Sequence, residues 1–193
     1  MKRVTILFSL LVGWASSGLV LAAGDPAAGE EKIATCKACH GADGNGPAPF
    51  PKLAGQGEKY LLKQMQDIRD GARVVPTMVG QLDGKSDQQL ADIAAYFAGQ
   101  EGSGGQTKPE LKALGEKVYR SGVAERNVAA CTACHSPSGK GNGPAGYPAL
   151  AGQHADYVAA QLRAYRLGYE DPAGRTNGGD AKIMRTTAFG LSD

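Results

Sequence analysis

The chain has 193 residues, 42% of them apolar but only 6% aromatic, with 21 basic and 19 acidic side chains for a net charge of +2. A balance this even leaves no electrostatic footprint for nucleic acid, and beyond the N-terminal segment no apolar run approaches the length of a membrane span. So few aromatic residues supply little material for a single large core, and the four cysteines become the residues to explain.

The chain opens with Met1-Lys2-Arg3, an apolar run from Val4 to Ala15, and Val20-Leu21-Ala22 before Ala23. Positive start, apolar middle and small-x-small end predict a signal peptide over residues 1–22, cut after Ala22. Ser16, Ser17 and Gly18 interrupt the run and argue against a retained anchor. The mature protein is expected in the periplasm, with membrane association at most peripheral.

Asp25 with Pro26 behind it reads as the cap and first position of a helix, and Pro109 opens the equivalent segment of the second half. Each of these helices carries an interior glycine, Gly29 or Gly115, a residue whose use in a helix is close approach of another helix. The first chemistry follows at Cys36-Lys37-Ala38-Cys39-His40, and it returns as Cys131-Thr132-Ala133-Cys134-His135. These two C-x-x-C-H segments use every cysteine of the chain, and the pattern is the attachment signature of haem c. Two thiols add across the two vinyl groups of one porphyrin, while the adjacent histidine places an imidazole on the iron. A zinc cage or a pair of disulfides would use the same thiols but would leave both histidines unexplained. The expectation is two covalent haem c groups held by Cys36, Cys39, Cys131 and Cys134, with His40 and His135 as axial ligands.

The two halves align well beyond the cysteines. Gly44-Asn45-Gly46-Pro47 matches Gly141-Asn142-Gly143-Pro144, and Pro51-x-Leu53-Ala54-Gly55-Gln56 matches Pro148-x-Leu150-Ala151-Gly152-Gln153, both at an offset of 97 residues. Tyr60, Gln64, Arg69 and Gly71 fall on Tyr157, Gln161, Arg166 and Gly168 at the same offset, so the chain is a tandem duplication. A helix is predicted over Glu58 to Arg69 with Leu61, Met65 and Ile68 on one face, and its counterpart carries Val158, Leu162 and Tyr165. Another runs from Ser86, its N-cap, to Ala98, with Leu90, Ile93, Ala94 and Phe97 turned inward. No segment alternates as a strand does, so the class is all-α. The glycine-rich stretch from Gly99 to Gln106 marks a linker. The domains are therefore drawn as 23–98 and 109–193, joined by 99–108.

The sixth iron ligand decides between electron transfer and chemistry on a bound substrate. Met65 aligns with Leu162, which cannot bind iron, so it reads as core filling. Met78 and Met184 each lie eight residues before a Ser-Asp pair, Ser86-Asp87 and Ser192-Asp193, and they align once a nine-residue insertion around Glu170 to Ala181 is allowed for. Both are expected to ligate iron, which closes the iron to exogenous substrate. His154, aligned with Gly57, reads as a surface loop residue. Charge differs between the halves: residues 23–102 hold 8 basic and 11 acidic side chains, residues 103–193 hold 11 and 8. Such a contrast can orient a carrier as it docks.

With two C-x-x-C-H motifs, two P-x-L-A-G-Q segments and two late methionines, the sequence resembles the dihaem cytochrome c4 family, each half being similar to a class I cytochrome c domain. The resemblance implies a one-electron carrier between a quinol-oxidising complex and a terminal oxidase or reductase. It also implies that the helix bearing Gly29 crosses the one bearing Tyr96 and Phe97, with an aromatic ring against bare backbone. The carbonyls of Pro51 and Pro148 would accept hydrogen bonds from the haem histidines, and the two haems would face each other across the domain interface. The sequence stops at Asp193, aligned with Asp87, so a terminal helix matching 87–98 is not present and the expectation is a sequence incomplete at its C-terminus. The competing functional reading is a dihaem enzyme of peroxidase or thiosulfate dehydrogenase type, or a cytochrome subunit of an oxidase complex.

Overall fold

The computed structural model describes residues 23–105 and 107–192. The expected signal peptide, residues 1–22, lies outside the described residues. Helices and turns account for the regular structure, and among the described residues backbone pairing between extended segments is confined to isolated bridges at Val123 with Val128 and Asn142 with Tyr147.

In the first half the chain runs through α1 (Pro26–Glu30), α2 (Ala34–His40), α3 (Glu58–Arg69), a 3₁₀ turn at Pro76–Met78, and α4 (Asp87–Ala98). The helices start where the local chemistry satisfies free backbone N–H groups. Asp25 Oδ1 accepts from Ala27 and Ala28, and at α4 Ser86 and Gln89 form a reciprocal capping box. α1 and α3 both pack on α4. The core gathers Ile33, Leu61, Ile93, Ala94 and Phe97, all buried, with Cys36, Leu53, Met65 and Tyr96 packed around it. Met65 therefore fills core.

Gly29 is where α1 meets α4. A β-carbon there would collide with the main-chain carbonyl of Asp92 and touch Tyr96 Cβ at 3.0 Å. The crossing is as the resemblance implies: the bare backbone of Gly29 lies against the main chain of α4 at Asp92 and the side chain of the aromatic residue Tyr96.

The second half runs through α5 (Pro109–Ser121), a 3₁₀ turn at Ala124–Arg126, α6 (Thr132–His135), α7 (Ala155–Leu167) and α8 (Ile183–Phe189), so its 3₁₀ turn precedes the C-x-x-C-H helix, whereas that of the first half follows α3. α5 has 13 residues against 5 in α1, and it buries none of them; Leu111 and Leu114 are exposed and nothing lies within 4 Å of a β-carbon at Gly115. α8 packs on α7. Between the halves, residues 101–104 form an exposed strap laid against the first half. Asn45 Nδ2 donates to Glu101 O at 2.9 Å, Ser103 N to Asn45 Oδ1 at 2.8 Å, and Lys52 Nζ to Gly104 O at 3.0 Å.

Asp92 ties α1 to α4 from within the core. Its carboxylate accepts from Asp25 N at 3.1 Å and Gln88 Nε2 at 3.0 Å, and Lys32 Nζ lies 3.5 Å away. The Gln88 hydrogen bond, followed by those bonds from Asp25 and Lys32 that oppose the cost of burial, holds the Asp92 carboxyl below its ordinary range. A depressed carboxyl adds stability that is complete above its unfolded value, near pH 4, and is lost as pH falls through the folded value. Acid unfolding of the first half should thus begin below about pH 4. Asp92→Asn should flatten that slope while lowering stability at neutral pH, as read from denaturation midpoints measured across the acid range.

Candidate haem centres

Both C-x-x-C-H segments are short helices that stop at the histidine. α2 carries Cys36, Cys39 and His40 and is terminated by Gly41 at φ 79°, ψ 159°; α6 carries Cys134 and His135, with Cys131 as its cap, and is terminated by Ser136 at φ 68°, ψ 158°. Helical spacing puts the thiols of positions one and four on one side, with the imidazole one residue further round. All four cysteines are free thiols at intermediate depth, and both histidines are buried. Burial pushes the Cys36 and Cys131 thiols up, so they are uncharged against their apolar surroundings.

The two histidines are held alike. His40 Nδ1 lies 2.9 Å from Pro51 O, and His135 Nδ1 lies 2.8 Å from Pro148 O. A carbonyl oxygen can only accept, so each Nδ1 carries the proton and each Nε2 offers its lone pair. Burial lowers the His40 pKa, outweighing the Pro51 bond that raises it, and so favours the neutral imidazole that binds iron. Phe50 stands edge-on to His40 with centroids 6.2 Å apart, and Tyr147 stands likewise to His135 at 6.1 Å.

This donor set fits haem c. Each half presents two free thiols and one imidazole with a free Nε2, and among the described residues no three His, Cys, Asp or Glu side chains cluster as a zinc cage would require. Met78 closes the 3₁₀ turn and lines a cleft of about 270 Å³ with Ile68, Val75 and Leu82. Met184 sits in the first turn of α8, half-buried, so the two methionines that align in sequence occupy different local structures.

The halves meet through side chains that the repeat duplicates. Gln56 Nε2 donates to Ala149 O at 2.8 Å and Gln56 Oε1 accepts from Ala149 N at 3.0 Å. Gln153 grips Lys52 in the same way, each bond 2.9 Å. Arg73 donates to Gln64, Tyr157 and Gln161, and Arg175 donates to Gln161 and Gln64. Asn177 reaches Asp67 Oδ2 at 2.6 Å. The insertion around Glu170 to Ala181 thus delivers Arg175 and Asn177 to the other half. His154 is no loop residue without a partner: it caps α7, half-buried, with Nε2 2.9 Å from Gly46 O of the other half. None of these contacts has a local sequence signal. Repetition leaves a trace: Gln56 and Gln153, and Gln64 and Gln161, are identical at matching positions and all four bond across the interface.

The cytochrome c family model matches residues 26–101 and again 112–193. Cytochrome c4 of Pseudomonas aeruginosa is 58% identical over 97% of this chain and 92% of its own length, and that of Azotobacter vinelandii is 53% identical over 97% and 91%. The chain belongs to the cytochrome c4 family. In three dimensions it superposes on the crystal structure of reduced cytochrome c4 from Pseudomonas stutzeri with a TM-score of 0.83, at 54% identity, covering 88% of this chain and 92% of that one. It is an all-α protein of two tandem cytochrome c domains that binds two haem c groups and carries electrons.

The residue after each haem histidine separates the two sites. Gly41 adopts its backbone conformation freely, whereas Ser136 occupies a region almost reserved for glycine, at a cost of about 1 to 3 kcal/mol. Its hydroxyl recovers part of this by accepting from Lys140 N at 3.1 Å. Ser136→Gly should therefore stabilise the second half by about 1 kcal/mol, and Gly41→Ser should destabilise the first by more than that, because its β-carbon would also come within 2.9 Å of Gly46 N, as measured by denaturant unfolding followed at the haem absorbance of each variant.

Proposed function

We propose that this protein is a periplasmic one-electron carrier that takes electrons from a quinol-oxidising complex and delivers them to a terminal oxidase or reductase. On this reading residues 1–22 direct export, and residues 23–98 and 109–193 each wrap one haem, joined by 99–108. The observation that carries it is the paired histidine geometry: two buried imidazoles, each with Nδ1 committed to a proline carbonyl and Nε2 left for iron. Among the described residues no helix is long and apolar enough to cross a membrane, which suits a carrier that moves between complexes.

Cys36 and Cys39, and Cys131 and Cys134, would anchor the haems through thioethers, and His40 and His135 would ligate the irons, with Pro51 and Pro148 fixing ring orientation. Met78 and Met184 would supply the opposite ligands. Each haem c supplies a one-electron Fe(III)/Fe(II) couple, whose potential a thioether raises relative to a second imidazole. The residues do the rest: the histidines are held in one tautomer, and burial keeps water from the imidazoles. With two methionines available to cap the irons, a substrate-binding enzyme is the weaker reading.

Replacing Met78 or Met184 by alanine should abolish the near-infrared methionine-to-iron band of that haem alone, lower its potential, and open it to carbon monoxide. Loss of the first haem's band in Met65→Ala but not in Met78→Ala would overturn the ligand assignment. The opposed charges of the two halves would orient docking, and electron-transfer rates to the natural oxidase should then fall as salt shortens the Debye length below about 10 Å. Rates independent of ionic strength would remove the orienting role.

A further inference from the structure

The carbonyl of Pro51 and the N–H of Lys52 belong to one peptide group, as do the carbonyl of Pro148 and the N–H of Ala149. In each case the oxygen holds a haem histidine of its own half and the N–H is bound by a glutamine of the other. The chain of contacts runs from His40 Nδ1–H to Pro51 O at 2.9 Å, through the peptide, and from Lys52 N–H to Gln153 Oε1 at 2.9 Å. Its mirror runs from His135 Nδ1–H to Pro148 O at 2.8 Å, and from Ala149 N–H to Gln56 Oε1 at 3.0 Å.

We propose that Gln56 and Gln153 are positioning residues for the haem ligands of the opposite halves, each setting the basicity of a histidine across the domain interface through a single shared peptide group. An amide whose N–H donates to a fixed acceptor carries more negative charge on its oxygen, because hydrogen bonds in a chain polarise one another. The oxygen then holds Nδ1–H more firmly, the imidazole becomes a stronger donor to iron, and the ferric state is favoured. Both glutamines suit the task. Gln56 is 6% exposed, and each side chain is pinned at both ends, its Nε2 donating to the carbonyl of the same residue whose N–H it accepts from. Neither glutamine is hydrogen-bonded to His40 or His135, and each acts on the half to which it does not belong; Gln153 Oε1 also accepts from His154 N at 3.0 Å.

The consequence is crosswise. Gln153→Ala should raise the potential of the His40 haem and leave the His135 haem unchanged, and Gln56→Ala should do the reverse. A cooperative contribution of 10 to 30% of one net hydrogen bond corresponds to roughly a 1.2- to 1.7-fold change in the ferric-to-ferrous equilibrium, which at 59 mV per decade for one electron is roughly 4 to 13 mV. The inference rests on His40 and His135 being the iron ligands. That reading is tested separately by the low-spin spectrum of the unaltered dihaem protein, which does not depend on either glutamine.

The experiment is a potentiometric titration of the dihaem protein and its variants followed by NMR, with the histidine rings assigned through Phe50 and Tyr147. The Nδ1–H resonance of the opposite histidine should move upfield in each glutamine variant as its hydrogen bond weakens. Asn177→Ala is the control, since it loosens the interface at Gln64 and Asp67 without touching either shared peptide. It should leave both potentials unchanged. Should alanine prevent folding, Gln153→Met and Gln56→Met fill the same space without a hydrogen bond and carry the same expectation. Shifts in the glutamine's own half, equal shifts in both halves, no shift, or a matching shift in Asn177→Ala would each overturn the proposal.

Discussion

Two peptide groups, Pro51–Lys52 and Pro148–Ala149, carry the organisation of this molecule. In each, the ligand side of a haem centre and the interface between domains share one covalent group. Proline fixes φ and has no N–H of its own, so the preceding segment has no competing donor at that point, and the carbonyl is presented to the histidine at a defined angle. The following N–H is then free to be taken by the other half. Weakening either peptide's environment would be felt in both directions, at the imidazole and at the interface.

The rest of the fold positions those peptides. α4 presses Phe97 and Ile93 against Ile33 and Leu61, and α1 can reach α4 only because Gly29 lacks a side chain. The loop from Gly44 to Gln56 is then tied to this unit by Leu53 and Ala54 N–H groups donating to Gly44 O, and by Gly55 N donating to Phe97 O at 3.0 Å. The helix that closes the core therefore also holds the segment that ends in Gln56. Cys36 and Leu53 border the same cluster, so the apolar face of a haem would continue this core. That explains how a chain with 6% aromatic residues stabilises two small domains.

What the sequence made legible was local. Asp25 before Pro26 and Ser86 before Gln89 announce helix starts because the groups they satisfy lie within three residues. The two C-x-x-C-H segments are equally explicit, since thiol and imidazole must come from one turn of helix. Gly29 announced a close crossing, though not that its neighbour would be the Asp92 carbonyl. The interface was opaque for the opposite reason. Gln153 and Lys52 are 101 residues apart and His154 and Gly46 are 108 apart, and nothing in either neighbourhood encodes the other. The insertion around Glu170 to Ala181, which serves in the sequence only to bring the methionines into register, supplies Arg175 and Asn177 to the contact. Duplication alone gave a hint: a residue repeated at matching positions without a local task is a candidate for contact between the copies.

The duplication is also selective in what it keeps. The hydrogen bonds that hold the histidines, 2.9 and 2.8 Å, and the glutamine grips are the same in both halves. What surrounds them is not. Phe50 is replaced by Tyr147, Gly41 by Ser136, Gly57 by His154, and an excess of acidic side chains in residues 23–102 by an excess of basic ones in 103–193. If the proposed ligands hold in both halves, the ligand set is no source of difference, and any asymmetry between the sites would arise from charge and environment. Positive surroundings favour the reduced iron, because reduction removes one unit of positive charge. On the proposed ligation, the excess of basic side chains in residues 103–193 would favour reduction of the second half's haem, and a molecule built from two copies of one domain would acquire a direction without any change to the residues that hold the iron.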